Sequence, residues 1–344
     1  MHLDSARELK SNLIALARSR TVALLARASK QLGVAARPLR ASGPLTPRPG
    51  VAFGIAPMAG NARGYRLAVR VMNRGAGWAR SILRRVPGLT EREIELVEGV
   101  RYRPRNRAGQ RAIGAPSVLK AGGSCGHPRI TAGTLGGFVE DARRYYALSN
   151  NHVLADCDAA RVGDPIWQPG PYDVMRSGHQ VIAHLSRWVP LDPRRTDGVD
   201  AAIAVLDGEV PEFLPWEYDG IGEMDPRPID ERYAVTRVVK RGRTTRVTRG
   251  RVSAFELDGV RLDYGTRLES RLITFDDQLE FVHVNRTRAF SQGGDSGSLI
   301  LEESSRRPYA LLYGGGPDAE GVDRTLGHFL PSVLRQLRVH MVAS

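Results

Sequence analysis

The chain has 344 residues, 42% hydrophobic and 25% charged, a composition that fits a folded globular protein and excludes a disordered one. No apolar run approaches the roughly 18 residues that a membrane-spanning helix requires. Charge is lopsided: residues 1–120 carry 23 Lys and Arg against 6 acids, a balance of +17, while residues 121–344 balance at −4.

Ser5-Ala6-Arg7-Glu8 fits a helix-starting capping box, and Leu9, Leu13 and Leu16 lie on one face after it, so a helix is predicted from about residue 5. Residues 1–40 are thus read as a basic helical segment. Such a surface can meet a polyanion, a protein partner or the chain's own acidic half. Neither aromatic interleaving nor a nucleic-acid module accompanies it, which favours a solvated or self-docking surface. The stretch from Leu13 to Ala28 is broken by Arg18, Arg20 and Arg27, whereas a secretory signal has a clean apolar core, so a cytoplasmic protein is expected.

Ala41 to Gly50 reads as a linker because its prolines and glycines deny it regular structure. Residues 51–110 have the pattern of a small α/β unit. Strands are predicted at Val51 to Ala56, Tyr65 to Met72 and Ile94 to Tyr102, with a helix at Trp78 to Arg85. A core of this size is marginal alone, so the unit is expected to dock on the C-terminal part of the chain. The Arg-, Gly- and Pro-rich residues 103–129 mark a second boundary, and residues 121–344 form the largest expected domain. From Ile130 onward short β-like runs alternate with turn signals, as in a sandwich or barrel. Pro331 opens a predicted terminal helix through Leu334 and Leu337.

Three segments carry chemistry. Gly293-Gly294-Asp295-Ser296-Gly297-Ser298 places a serine between an acid and glycines, where the backbone N–H groups of Gly294 and Ser296 can converge on a tetrahedral oxyanion. Leu148 to Leu154 (LSNNHVL) puts His152 directly after a strand. Val199 to Ala204 (VDAAIA) puts Asp200 at the head of an apolar strand, where a buried carboxylate needs a donor such as an imidazole N–H. The order is His, Asp, Ser with gaps of 48 and 96 residues, unlike the orders of subtilisins and α/β-hydrolases.

Together LSNNHVLA, VDAAIAVL, VVKRGRTTRVTRG and FSQGGDSGSLI resemble bacterial trypsin-like serine peptidases of the chymotrypsin superfamily, over about residues 121–344. The resemblance implies a mainly β fold of two six-stranded antiparallel barrels, His152 and Asp200 coming from the first and Ser296 from the second. It implies a serine endopeptidase acting on a protein or peptide through an acyl-enzyme, with no metal and no organic cofactor. KRGRTT, Lys240 to Thr245, resembles a segment whose first base pairs with the acid before the nucleophile, which would join Lys240 to Asp295. Arg241 is the alternative base. A rival partner is a new terminus at Ile130, made by cleavage after Arg129.

Carried over in the same way, Phe290 would lie at the base of the specificity pocket and disfavour a basic side chain there. Tyr313, Gly314, Gly315 and Gly316 would wall the pocket. Cys125 and Cys157 are either bridged or two free thiols. The remaining histidines show no metal-ligand spacing. The rival functions are a catalytically silent binding or scaffold module, and a protease whose basic N-terminal region recruits a polyanion or a protein.

Overall fold

Alternation along the strands between Arg237 and Phe329 decides the architecture. In a computed structural model, the chain is described apart from residues 32–49, 59–63, 73–75, 85, 87–88, 106–108, 110–117, 174–177, 207–211, 267 and 344. Val238, Ile300, Ala310 and Leu312 turn to one side and pack with Val252, Leu279, Phe281 and Phe329. Their neighbours Val239, Leu299, Leu301 and Leu311 turn to the other side, against Val139, Leu148 and Ile203. Because both faces are buried, the run Leu299–Ile300–Leu301 is apolar throughout instead of alternating.

The first set fills a closed barrel. Its order is Arg237–Gly242, Leu299–Glu302, Pro308–Pro317, Asp323–Phe329, Gln278–His283 and Arg246–Asp258, and the last strand pairs back to the first. All six pairings are antiparallel. A second six-stranded sheet lies beside it, ordered Pro165–Gln168, Gln180–Trp188, Ala202–Val205, Tyr145–Ser149, Gly137–Glu140 and His340–Met341.

This second sheet does not close, and the expectation of two barrels is corrected to one barrel and one open sheet. Its two edge strands do not pair with each other. The segment beside Pro165–Gln168 offers it a single bridge, Gly126 to Trp167. Gly122, Gly123, Gly126 and Pro128 interrupt that segment, leaving two-residue strands, Ser124–Cys125 and Gly133–Thr134, that pair with one another.

The 13-residue strand Arg246–Asp258 runs beyond the barrel and carries the N-terminal half of the chain. Val51–Pro57 pairs with its far end, Tyr65–Met72 adds antiparallel, and Ile94–Val100 adds parallel after the helix Ala76–Leu83. The helix Leu3–Gln31 packs Leu13, Ile14 and Ala17 against these strands. Arg7 and Lys10 bind Glu256 on the long strand, so part of the basic surface is spent on the chain's own acids. The linker read over residues 41–50 lies outside the described residues except for Gly50. Leu330–Leu337 forms the terminal helix. Among the described residues no helix is long and apolar enough to cross a membrane.

Arg70 joins the extension to the barrel from within. Fully buried, it donates to Glu280 at 3.0 Å and to Glu95 at 2.7 Å, while Arg324, Ser253 and Tyr102 also bind Glu280. Burial would raise the Glu280 pKa, but the charges of Arg70 and Arg324 outweigh it and hold it at about 2.

Candidate active site

Register brings His152 to Asp200. Ala202 lies opposite Ser149 in the open sheet, so the residues just past the end of one strand face those just before the start of the other. His152 begins its turn in the short helix Asn151–Leu154, which Asn151 ties down by donating to Asp158 at 2.6 Å and to the Val189 carbonyl at 2.8 Å. The side chains of His152 and Asp200 are fully buried, and Nδ1 lies 2.5 Å from Asp200 Oδ2.

Asp200 accepts two further hydrogen bonds, from the His152 backbone N–H at 3.1 Å and from the Tyr264 hydroxyl at 2.8 Å. Burial favours its protonated form, but His152 and the Tyr264 hydroxyl outweigh that, and its pKa falls below the ordinary carboxylate value. An ionised Asp200 makes Nδ1 the donor, so Nε2 of a neutral His152 carries the lone pair. Nε2 is buried and has no hydrogen-bond partner among the described residues.

His328 stands behind Asp200 and accepts its backbone N–H on Nε2 at 2.8 Å. Burial pushes the His328 pKa down to about 3, so the ring is neutral. Tyr313 stacks on it with ring centroids 3.9 Å apart.

Ser296 reaches the site from the barrel side. Gly294 and Gly297 both have φ of +94°, a region that glycine occupies without a steric penalty, so the loop turns tightly on either side of the serine. Thr134 ties the loop to the open sheet. Its N–H donates to the Ser296 carbonyl at 2.8 Å, and its hydroxyl donates to the Gly294 carbonyl at 2.9 Å. Ser149 in turn donates to the Thr134 carbonyl at 2.8 Å. Ser296 Oγ donates to the Tyr313 carbonyl at 3.3 Å and shares no hydrogen bond with His152.

Lys240 and Asp295 are both buried, with Nζ 3.3 Å from Oδ2. Asp295 also accepts from the N–H groups of Gln292, Thr244 and Thr245 and from the Thr245 hydroxyl, all between 2.7 and 3.1 Å. Burial would raise its pKa, but Lys240 and these donors hold it below the usual carboxylate range. Arg241 pairs elsewhere, with Asp219. Ile130 lies within a continuous chain, its N–H donating to the His127 carbonyl.

Phe290 is fully buried in the barrel core beside Phe281. Tyr313, Gly314 and Gly315 lie on the barrel strand Pro308–Pro317. Cys125 and Cys157 are free thiols, and burial raises both to about 12.

Sequence reasoning passes over Tyr264 and His328. Neither has a local signature, since each is an aromatic residue in or beside an ordinary strand. The two threonines of KRGRTT stand in a motif whose bases dominate it, and nothing local marks their backbone and hydroxyl contacts with Asp295.

These features define a mainly β chain with a buried His–Asp pair at strand ends of an open sheet and a glycine-flanked serine loop on a closed barrel, the loop tied to that sheet through Thr134 and Ser149. No family model matches the sequence, and no curated protein matches it. Solved structures similar to the chain include Thermobifida fusca protease A, at 14% identity and a TM-score of 0.45, covering 66% of this chain and 100% of that one. Cellulomonas bogoriensis chymotrypsin gives 12% identity and a TM-score of 0.43, covering 66% and 100%. A glutamic-acid-specific serine protease that uses a histidine triad in substrate binding gives 18% identity and a TM-score of 0.45, covering 65% and 100%. At such values the chemistry has to be read from this site's own geometry.

Proposed function

We propose that the chain is a serine endopeptidase of the chymotrypsin type, with Ser296 as nucleophile, His152 as base and Asp200 as the group that orients it. The buried His152–Asp200 pair carries this reading, because it leaves Nε2 as an unpartnered acceptor, and Thr134 and Ser149 tie the Ser296 loop to the sheet that carries the pair. A buried lone pair without a donor is costly in a merely structural histidine and useful in a general base.

His152 takes the Ser296 proton as Oγ attacks a peptide carbonyl, and Asp200 steadies the imidazolium that forms. The N–H groups of Gly294 and Ser296 stabilise the oxyanion, with Asp295 and Lys240 bracing their loop. His152 then protonates the leaving amine, and water resolves the acyl-enzyme. Tyr264 supports Asp200 from outside the reacting groups.

The Ser296 hydroxyl resting on Tyr313 also fits a silent module of the same fold. Labelling purified protein with a fluorophosphonate probe separates the two. Wild type is expected to label at Ser296, while Ser296→Ala stays folded and unlabelled. If neither wild type nor Arg105→Ala labels, Arg105 being the residue whose carbonyl meets the Gly294 N–H, the peptidase reading fails.

A further inference from the structure

A segment of the chain already lies along the wall of this site. Arg103–Pro104 pairs antiparallel with the barrel strand Pro308–Pro317, the wall strand of the site, Pro104 opposite Gly314 and Arg103 opposite Gly315. The Arg101 N–H donates to the Pro317 carbonyl at 3.1 Å, and the Arg105 N–H donates to the Tyr313 carbonyl at 3.2 Å. Glycine makes the approach possible: a Cβ on Gly316 would overlap the Arg101 carbonyl, and one on Gly314 would sit 3.1 Å from the Arg103 oxygen.

The next contact is the informative one. The Gly294 N–H donates to the Arg105 carbonyl at 2.6 Å. Gly294 is one of the two donors assigned to the oxyanion, so a peptide carbonyl of this chain sits where a scissile carbonyl would be polarised. Ser296 Oγ rests on the same Tyr313 carbonyl that receives the Arg105 N–H. Arg105 therefore binds Tyr313 through its N–H and Gly294 through its C=O, one the carbonyl that holds Ser296 Oγ and the other a donor two residues before Ser296.

Its side chain is selected as well. The guanidinium pairs with Asp323, their side chains only 14% and 13% exposed. Asp323 begins the barrel strand beside the wall strand, opposite Pro317, and the Thr325 hydroxyl lies 3.4 Å from its Oδ2. Gly315 leaves the passage, since a Cβ there would fall 2.8 Å from Arg105 Nη2. The carboxylate that meets a basic side chain is thus not at Phe290, which is packed in the core, but at Asp323.

Resting on the peptidase reading, we propose that residues 101–105 are an intramolecular substrate strand, that Asp323 makes the site selective for arginine, and that the enzyme cleaves its own chain at the bond following Arg105. Ser296 Oγ bonds to the Arg105 carbonyl carbon while its proton passes to His152 Nε2. The C–N bond breaks, and the departing nitrogen takes that proton. Water, giving a proton to His152, then adds to the ester, and Ser296 leaves with that proton. One water is consumed, and nothing is oxidised or reduced. Until the strand leaves, it covers the site against other substrates.

The full chain is incubated and its fragments are mapped by intact mass and N-terminal sequencing, beside Ser296→Ala and Arg105→Ala. Fluorophosphonate labelling of each is read in parallel. A fragment ending at Arg105 and one starting at Asn106, seen in wild type and absent from Ser296→Ala, is the expected result. Peptides RYRPR and RYRPF carrying a coumarin leaving group are then compared, and wild type is expected to favour the arginine substrate. Asp323→Asn is expected to lose roughly 100-fold of that preference, as a desolvated charge pair loses one partner.

A wild type that labels at Ser296 yet stays intact, or is cut elsewhere, overturns the self-cleavage. So does labelling confined to Arg105→Ala with the wild type uncut. Equal turnover of both peptides overturns the role of Asp323. Absence of labelling in wild type and Arg105→Ala alike sinks the peptidase reading itself.

Discussion

Asp200 receives an imidazole N–H, a backbone N–H and a phenol hydroxyl at a fully buried position. Each donor stabilises its charge, and each also fixes where the carboxylate points. Tyr264→Phe removes one donor without emptying the site. We expect kcat to fall about 10-fold, the order expected from losing one hydrogen bond to a charged group, with KM unchanged. Without this donor the Asp200 charge is less well stabilised and pulls harder on the imidazolium of the base, so the acid limb of the kcat/KM profile, set by protonation of that base, should move to higher pH. An unchanged profile with a lowered unfolding midpoint would make Tyr264 merely structural. His152 and Asp200 stand at strand ends, and strand ends are visible in an apolar pattern. Tyr264 meets Asp200 from 64 residues away in the chain, and no pattern announces that.

At the scale of elements, the strands that alternate or that form clean apolar runs are legible: the β-like runs Tyr145–Leu148, Gln180–Leu185 and Ala201–Leu206 of the sequence coincide, within a few residues at their ends, with the strands Tyr145–Ser149, Gln180–Trp188 and Ala202–Val205. Gln278–His283 escapes that reading because Glu280, a charge at a fully buried position, breaks its pattern. That charge is the centre of the network that locks the extension to the barrel. With a folded pKa of about 2 against an ordinary 4.5, Glu280 adds stability that is complete above pH 4.5 and is lost as pH falls towards 2. The difference is on the order of 3 kcal/mol. Urea midpoints of wild type should therefore drop between pH 5 and pH 3. Glu280→Gln should start lower, since it leaves buried arginines without their counter-charge, and should change less over that range. Parallel pH slopes in the two proteins would contradict the assignment.

For the whole molecule, the extension is continuous with the barrel. Val51–Pro57 and Tyr65–Met72 continue its sheet, Arg70 reaches its interior, and Ala6 and Ile55 share a core cluster with Phe281 and Ile300. Cleavage after Arg105 would cut one connection and leave these intact. The two fragments should co-elute on size exclusion in native buffer and separate only in denaturant. Separate elution in native buffer would show that the shared sheet is too weak to hold them.

The sequence by itself determined the local features: a β-rich C-terminal region, turn-bounded strands, a tight serine loop, and a histidine and an aspartate at strand ends. Each arises from neighbours a few residues apart, through strand alternation, glycine's access to positive φ and the cost of burying an isolated charge. Only the tertiary structure decided that one sheet closes and the other stays open, because closure depends on which distant edges meet. It likewise decided that Tyr264 and His328 flank Asp200, and that Arg101–Arg105 returns to the wall strand to place a carbonyl on Gly294. Those contacts join segments 64, 128 and about 190 residues apart, and hydrogen bonds across such separations are set by packing, which local residue order does not encode.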